Sequence, residues 1–331
     1  GDMVAGLNRM NLNLISSEHS KQVALKAEWD KIDNETNQSI GRIKCEKPVE
    51  VLFEGLDLNI YNKKSNVSFL KDIPEEFCFL HTGGWLPGNF GEDRKNTSLM
   101  VVTFLNTFKD LSGKKPALIL KTYNVNSSLL DREEIIKRIH FIKNTIKSDN
   151  LPNIYLLHGE VTDEEMNLLN NDPKIKSFIS FTKGEGFGRP LLEGAITGKP
   201  VICSNWSGHV DFIKPDYNIL IGGELKPVHE SAANNWLLKD SEWFNIDIEI
   251  AGRAMKDVFK NYKKYYKQSQ KQTQYLKENF SFDKMVERLN KFLPKVQASP
   301  QHQSIKLPEL KKIEENKKIE VKLPELKKIN I

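Results

Sequence analysis

The stretch Lys183-Gly-Glu-Gly-Phe-Gly-Arg-Pro-Leu-Leu-Glu-Gly194 decides the reading of this chain. Its two glutamates, Glu185 and Glu193, have seven residues between them, among them the turn Gly186-Phe187-Gly188 and Pro190. Just upstream, Phe178-Ile179-Ser180-Phe181 is an apolar run of strand length. Just downstream, Gly198-Lys199-Pro200 leads into a second apolar run, Val201-Ile202-Cys203. The stretch therefore reads as strand, glycine-rich turn, short helix and strand. Such a turn leaves N–H groups unpaired at the helix N-terminus, which favours a phosphate there.

Working outward, the same alternation continues. Val49 to Phe53 is strand-like and ends at Gly55, and Phe77 to Leu80 is an apolar strand running into His81-Thr82-Gly83-Gly84. The 3.6-residue period predicts a helix from Thr97 to Asp110, with Leu99, Val102, Leu105 and Phe108 on one stripe. Ala117–Leu120 reads as a strand. Asp131 is placed to cap a long helix bearing Ile135, Ile136, Ile139, Ile142 and Ile146. Ile154–Leu157 is the next strand, and Thr162 to Glu165 is a capping box opening another helix. Alternating strands and helices of this size predict a parallel sheet covered on both faces. Ligands of such sheets sit beyond the carboxyl ends of the strands. Gly83-Gly84, Gly159 and Gly184–Gly188 all fall at those ends and are expected to converge on one crevice.

The flanks are less regular. A short helix is expected from Ser17 to Lys31, followed by a polar loop from Asp33 to Glu46. Ile248 to Asn279 reads as helical and basic, with Tyr262, Tyr265 and Tyr266, and Ser281 opens a further helix through Phe292. Beyond Pro294 the core signal stops. The octapeptide KLPELKKI occurs at Lys306–Ile313 and again at Lys322–Ile329, in a lysine-rich tail expected to lie outside the core.

Composition bounds the possibilities. With 331 residues, 39% hydrophobic and 28% charged, the chain can bury a core in one large or two modest domains. A net charge of +5 is mild and does not by itself call for a polynucleotide ligand. The three cysteines, Cys45, Cys78 and Cys203, form no CxxC, which predicts reduced thiols and a cytoplasmic setting. No apolar run approaches the roughly 18 residues of a membrane span, and no secretory signal pattern is present. The chain starts Gly-Asp-Met and reads as part of a longer protein. No Asp-x-Asp, H-x3-H or H-E-x-x-H occurs, so neither metal nor cofactor is expected. A P-loop and a Gly-x-Ser-x-Gly elbow are missing as well, which argues against a phosphotransferase of that type and against an esterase.

One composite is more specific than any single motif: a strand, Gly184-Glu-Gly-Phe-Gly-Arg-Pro190, Glu193 on the following helix, then Gly198-Lys-Pro-Val-Ile202. It resembles the E-x7-E region of retaining glycosyltransferases of the GT-B fold, family four, across roughly Val49 to Phe292. Phe280-Ser-Phe-Asp-Lys284 is similar to the segment that closes those domains. Trp85-Leu-Pro-Gly88, Asp93-Arg-Lys95 and Ser204-Asn-Trp-Ser-Gly-His209 resemble a variant found in bacteriophage and marine microbial sequences. The resemblance implies an α/β fold, a Rossmann-like doubly wound parallel sheet. It also implies a domain plan: residues 1–47 as the end of an acceptor domain, 48–294 as the nucleotide-sugar domain, and 295–331 as a flexible tail. Ser16 to Lys21 is similar to the end of the acceptor half.

The resemblance further implies roles. Glu185 contacts hydroxyls of the transferred sugar, and Glu193 accepts from the ribose hydroxyls, as a carboxylate can from a cis-diol. The N–H groups of Gly186, Phe187 and Gly188 face the sugar and diphosphate. Arg94 and Lys95 stabilise the departing diphosphate, with Lys121 a further candidate. Gly83-Gly84 departs from the family's Gly-Arg at the strand end. Gly159 and Val161 hold the base through their backbone, and His158 is expected to be structural. Ser207, Gly208 and His209 reach the donor phosphate or sugar, with a surface histidine the alternative for His209. The donor is a nucleotide-diphosphate sugar and needs no metal, while the acceptor is an unidentified glycan, lipid or protein. Three other readings stay open: a non-catalytic nucleotide-sugar or carbohydrate-binding module, a sugar-nucleotide epimerase of the same fold, and a nucleic-acid or scaffold protein using the basic helix Lys256–Lys277.

Overall fold

The computed structural model describes residues 1–293 except 34, 66, 235 and 236. Residues 1–293 fall within one compact unit. The repeat tail lies outside the described residues.

In chain order the elements are α1 Asp2–Asn8, β1 Asn13–Ile15, α2 Glu18–Lys26, β2 Glu28–Ile32, β3 Ser39–Lys44, β4 Val49–Val51, β5 Cys78–Thr82, α3 Thr97–Phe108, β6 Ala117–Lys121 and α4 Leu129–Thr145. There follow β7 Ile154–Leu157, α5 Asp163–Asn171, β8 Ile175–Ser180, α6 Arg189–Ala195, β9 Val201–Ser204, a 3-10 turn Gly208–Asp211, β10 Ile219–Ile221, β11 Gly223–Pro227, β12 Glu242–Ile246, α7 Ile248–Lys260, α8 Tyr262–Asn279 and α9 Phe282–Phe292.

Six strands form one parallel sheet in the order β10-β9-β8-β5-β6-β7. Numbered within the sheet, that is 6-5-4-1-2-3, the doubly wound order whose direction of travel reverses between its first and fourth strands. The reversal puts β5 beside β8, with Leu80 opposite Phe178. Apolar clusters cover both faces, so β5, β6, β8 and β9 are almost wholly buried. Parallel strands buried on both sides read as continuous apolar runs, which is why the sequence exposed them.

Several boundaries differ from expectation. The buried face of α3 comprises Met100, Val101, Phe104, Leu105 and Phe108, while Leu99 and Val102 are only half-buried, because α3 packs against both α4 and α7. Ser128, not Asp131, caps α4. Asp131 instead accepts from the Asn124 and Val125 amides at 2.9 Å and pairs with His158 at 3.0 Å. The capping box of α5 forms as read, between Thr162 and Glu165. The helix predicted through Lys31 ends at Lys26, and the expected polar loop contains β3, which pairs antiparallel with β2. That hairpin is exposed on both faces and leaves no burial alternation to read. Val49–Val51 pairs with β1 in a separate two-stranded parallel sheet, outside the main one. Asn261 divides the long basic helix into α7 and α8, its side chain bonded back to Asp257.

Candidate functional site

The reversal point of the sheet brings three predicted residues together. The loop after β5 returns to the sheet at Arg94 and Lys95, immediately before α3. The loop after β8 carries Glu185. Lys95 Nζ stands 2.5 Å from Glu185 Oε1, and Arg94 Nη1 stands 3.2 Å from Glu185 Oε2. The same Arg94 nitrogen donates to the Gly184 carbonyl at 2.6 Å. Lys95 and Glu185 are largely buried, with 12% and 10% of their side-chain surfaces exposed, while Arg94 is more open at 36%. Burial alone would raise the Glu185 carboxyl. The Lys95 ammonium and Arg94 guanidinium outweigh it and hold the pKa below the usual value.

That direction sets a pH dependence. A carboxyl with a depressed folded pKa contributes stability that is present above its unfolded pKa and is lost as the pH falls through the folded one. Chemical denaturation between pH 7 and pH 3 is expected to show stability falling more steeply for the unaltered chain than for Glu185→Gln. Parallel curves would contradict it.

The loop that supplies the cations is braced from three sides. Lys183 donates its backbone amide to the Arg94 carbonyl at 2.8 Å and accepts from the Phe244 amide at 2.9 Å. Its ammonium is buried, 3.2 Å from Glu92 and 4.7 Å from the Trp243 ring centroid. Asp93 takes the Thr97 amide and the Ser98 hydroxyl at 3.0 Å, which caps α3 from inside the same loop. Asn96, in the left-handed region at φ 55°, is fully buried, and neither of its side-chain polar atoms has a partner among the described residues.

Glu193 has different company. On α6 it accepts from Arg189 Nε at 2.7 Å, four residues back. Burial drives its carboxyl above the usual range against Arg189, and Asp163 adds to the rise. Tyr61, itself buried, donates to Asp163 at 2.9 Å beside it. The two glutamates thus have separate partners and oppositely shifted carboxyls, with Glu193 turned toward the start of α5. Lys121, at the end of β6, donates to the Gly159 carbonyl at 2.5 Å, so these two predicted residues also meet. Val161 follows with 38% of its surface exposed.

The Gly186–Gly188 turn is closed by the segment after β9. The Glu185 amide donates to Ser207 Oγ at 2.8 Å. The Gly208 amide donates to the Glu185 carbonyl at 3.0 Å. A Cβ on Gly208 would stand 2.6 Å from the Gly186 carbonyl carbon, and one on Gly188, at φ 97°, would stand 2.9 Å from His209 Cβ. Both positions therefore require glycine. His209 is fully buried, not a surface histidine, with Nε2 2.6 Å from the Ser204 carbonyl. The segment similar to the end of an acceptor half lies on this turn: Ser16 and Ser20 donate to the Gly186 carbonyl at 3.3 and 3.2 Å. The Glu18 amide donates to Asp211 at 2.8 Å.

Gly83 lies beside the Lys95 stem, and Gly84 packs toward Leu86 and Tyr123. Sequence reasoning missed Lys183, Arg189, Tyr61 and the Ser16–Ser20 contacts. Lys183, Tyr61 and the two serines had no local signal, because their partners lie far away in the chain, whereas Arg189 stands four residues before Glu193, a spacing that sets the two side by side on a helix. At the strand ends the space between β5, β8 and α6 is narrow, about 10 Å³ lined by Leu80, Thr82, Phe178, Ile179, Ser180, Pro190 and Leu191. A cavity of about 370 Å³, lined by Trp85, Phe90, Glu134, Arg138 and Phe141 among others, contains no predicted site residue. Among the described residues no cluster of His, Cys, Asp and Glu is arranged to hold a metal ion, and no helix is long and apolar enough to cross a membrane.

No protein-family model and no curated protein matches the chain. Solved structures do match. Sucrose-phosphate synthase from Thermosynechococcus elongatus superposes with a TM-score of 0.60 at 12% identity, over 88% of this chain and 60% of that one. HepE from Anabaena, in complex with UDP and glucose, gives 0.60 at 14% identity, over 89% of this chain and 66% of that one. A glycosyltransferase from Rickettsia africae gives 0.58 at 13% identity, over 90% and 68%. The chain thus spans about 60 to 66% of the length of the first two structures. At these identities the likeness is one of fold, and the fold is a Rossmann-like domain of the GT-B type.

Proposed function

We propose that this chain is the donor-binding half of a retaining glycosyltransferase of family four, taking a sugar from a nucleoside diphosphate. The observation that carries the reading is the meeting of Arg94 and Lys95 with Glu185 where the strand order reverses. Two fixed cations and one ionised acid, largely shielded from water, fit a ligand that has both a diphosphate and hydroxyl groups.

The chemistry follows from an exchange of partners. Both Glu185 oxygens are taken by Lys95 and Arg94. A nucleotide sugar brings phosphate oxygens for the cations and sugar hydroxyls for the acid, so neither side is left unpaired. As the glycosidic bond breaks, negative charge grows on the departing diphosphate. Cations already in place stabilise it without reorganisation, and no metal is needed for that charge. Arg94 can meet two phosphate oxygens in one plane. Glu193 takes the ribose hydroxyls once Arg189 shares it, and Gly159 and Val161 border the base, with Lys121 holding Gly159 in place. The amides of Gly186, Phe187 and Gly188, with Ser207, Gly208 and His209 behind them, shape the turn against the sugar phosphate. HepE with UDP and glucose, and a pneumococcal O-GlcNAc transferase with UDP and GlcNAc, make a uridine donor a reasonable first probe.

The acceptor is a glycan, lipid or protein presented by a further domain. The share of the matched structures that this chain spans favours a second reading beside the first: taken alone, it binds donor without turnover. The setting proposed is cytoplasmic.

Isothermal titration of the chain with UDP- and GDP-sugars tests the assignment. A nucleotide sugar is expected to bind, and Glu193→Ala to weaken it at least about tenfold, the worth of hydrogen bonds to a charged acceptor. Binding of none of them, or equal binding by the variant, would defeat it.

A further inference from the structure

His81 ends the apolar part of β5 and is completely buried. Its Nδ1 lies 3.0 Å from the Ile179 carbonyl on β8. A carbonyl only accepts, so Nδ1 carries the hydrogen. Burial lowers the ring's pKa to about 4, so it is neutral at pH 7. A neutral imidazole with its hydrogen on Nδ1 presents a bare lone pair at Nε2. That Nε2 is buried and has no partner among the described residues. A buried acceptor without a donor is costly, about 1 to 3 kcal/mol, and in a native site it asks for a reason.

The reason stands next to it. The point above Gly83 where a Cβ would sit is 3.6 Å from His81 Nε2 and 3.5 Å from Lys95 Cε. The lysine stem and the orphan lone pair thus flank the same point beside Gly83. Lys95 has three N–H donors and directs one to Glu185.

The geometry points to His81 as the positioning residue of Lys95: when Glu185 turns to a ligand, the ammonium swings over Gly83 and takes His81 Nε2 as its second acceptor. This rests on the donor-site reading above. With Glu185 engaged by hydroxyls, Lys95 would otherwise have only a flexible stem to aim it. An acceptor on β5, held against β8 by its bond to the Ile179 carbonyl, holds one N–H and leaves the others directed at phosphate. His81 itself touches no ligand, since its free nitrogen is sealed from solvent. It has to be a neutral acceptor rather than a carboxylate, because a second acid would cancel the charge that Lys95 brings to the diphosphate.

A double-mutant cycle on UDP affinity, read by titration calorimetry, decides the matter. His81→Phe is expected to weaken UDP about tenfold, the worth of one hydrogen bond to a charged group. His81→Gln, which offers an oxygen near the Nε2 position, is expected to recover most of the loss. In a Lys95→Met background His81→Phe should cost nothing further, which a merely structural histidine would not show. Should His81→Phe fail to fold, nitrogen NMR of the unaltered chain gives the same answer: the Nε2 resonance moves upfield when UDP is added. Equal and additive losses in both backgrounds, or an Nε2 signal that UDP leaves unmoved, overturn the assignment. If the unaltered chain binds no nucleotide at all, the donor-site reading falls and takes this one with it; binding that ignores His81 removes this one alone.

Discussion

Lys95→Met will weaken binding of a nucleoside diphosphate by about 30-fold or more, corresponding to at least ~2 kcal/mol for a largely desolvated charge contact. Only 12% of the Lys95 side-chain surface is exposed and its ammonium is 2.5 Å from Glu185, so no mobile surface charge can replace it. The companion change separates the two halves of the ligand. Glu185→Gln leaves both cations in place, so UDP itself should bind about as well as before. A UDP-sugar should lose whatever advantage it has over UDP, because the acid proposed to accept from the sugar hydroxyls is gone. Calorimetric titration of UDP and UDP-glucose against both variants measures this directly, with thermal melts confirming that each is folded. UDP affinity unchanged in Lys95→Met would remove Lys95 from the diphosphate site. Equal losses of UDP and UDP-glucose in Glu185→Gln would remove Glu185 from the sugar.

Gly208→Ala is the second large effect. The added Cβ would meet the Gly186 carbonyl carbon at 2.6 Å and Phe187 Cα at 2.8 Å. These are backbone atoms and cannot swing aside like a side chain. The turn must therefore open, breaking the Gly208 amide bond to the Glu185 carbonyl and the seat of Ser207 under the Glu185 amide. Overpacking of this kind costs about 1 to 3 kcal/mol, and the upper end is expected here because two hydrogen bonds go with it. Equilibrium urea unfolding should show that loss, together with weakened UDP-sugar binding. Alanine at Gly222, where a Cβ meets nothing within 4 Å, is the control. Full stability of Gly208→Ala would mean that the turn is looser than its packing indicates.

Braces on the cation loop fix its position against the sheet. Lys183 is almost fully buried, yet it is not an isolated charge: Glu92 and the Trp243 face both stabilise it. Trp243 lies on β12, so the excursion that carries β11 and β12 leans on the loop that ends in Arg94 and Lys95. Asn89 adds a second tie, its amide donating to Ser231 at 2.9 Å.

The amino-acid sequence by itself determined the doubly wound sheet, because its strands are buried on both faces and show as unbroken apolar runs such as Phe178–Phe181. It also determined the turn and helix around Glu185 and Glu193, and the capping box at Thr162, since these depend on residues close in the chain. It could not show the exposed hairpin from Glu28 to Lys44, where no face is buried and no alternation is written. Nor could it place Val49–Val51 outside the main sheet, because pairing with Asn13–Ile15 is settled across an intervening helix and hairpin. Only the tertiary structure decided that Lys95 reaches Glu185, that His81 offers a lone pair beside it, and that Ser16 and Ser20 rest on Gly186. Those contacts join residues 90 to 170 positions apart, or turn on which ring nitrogen a neighbouring strand occupies, and no local pattern of residues encodes either.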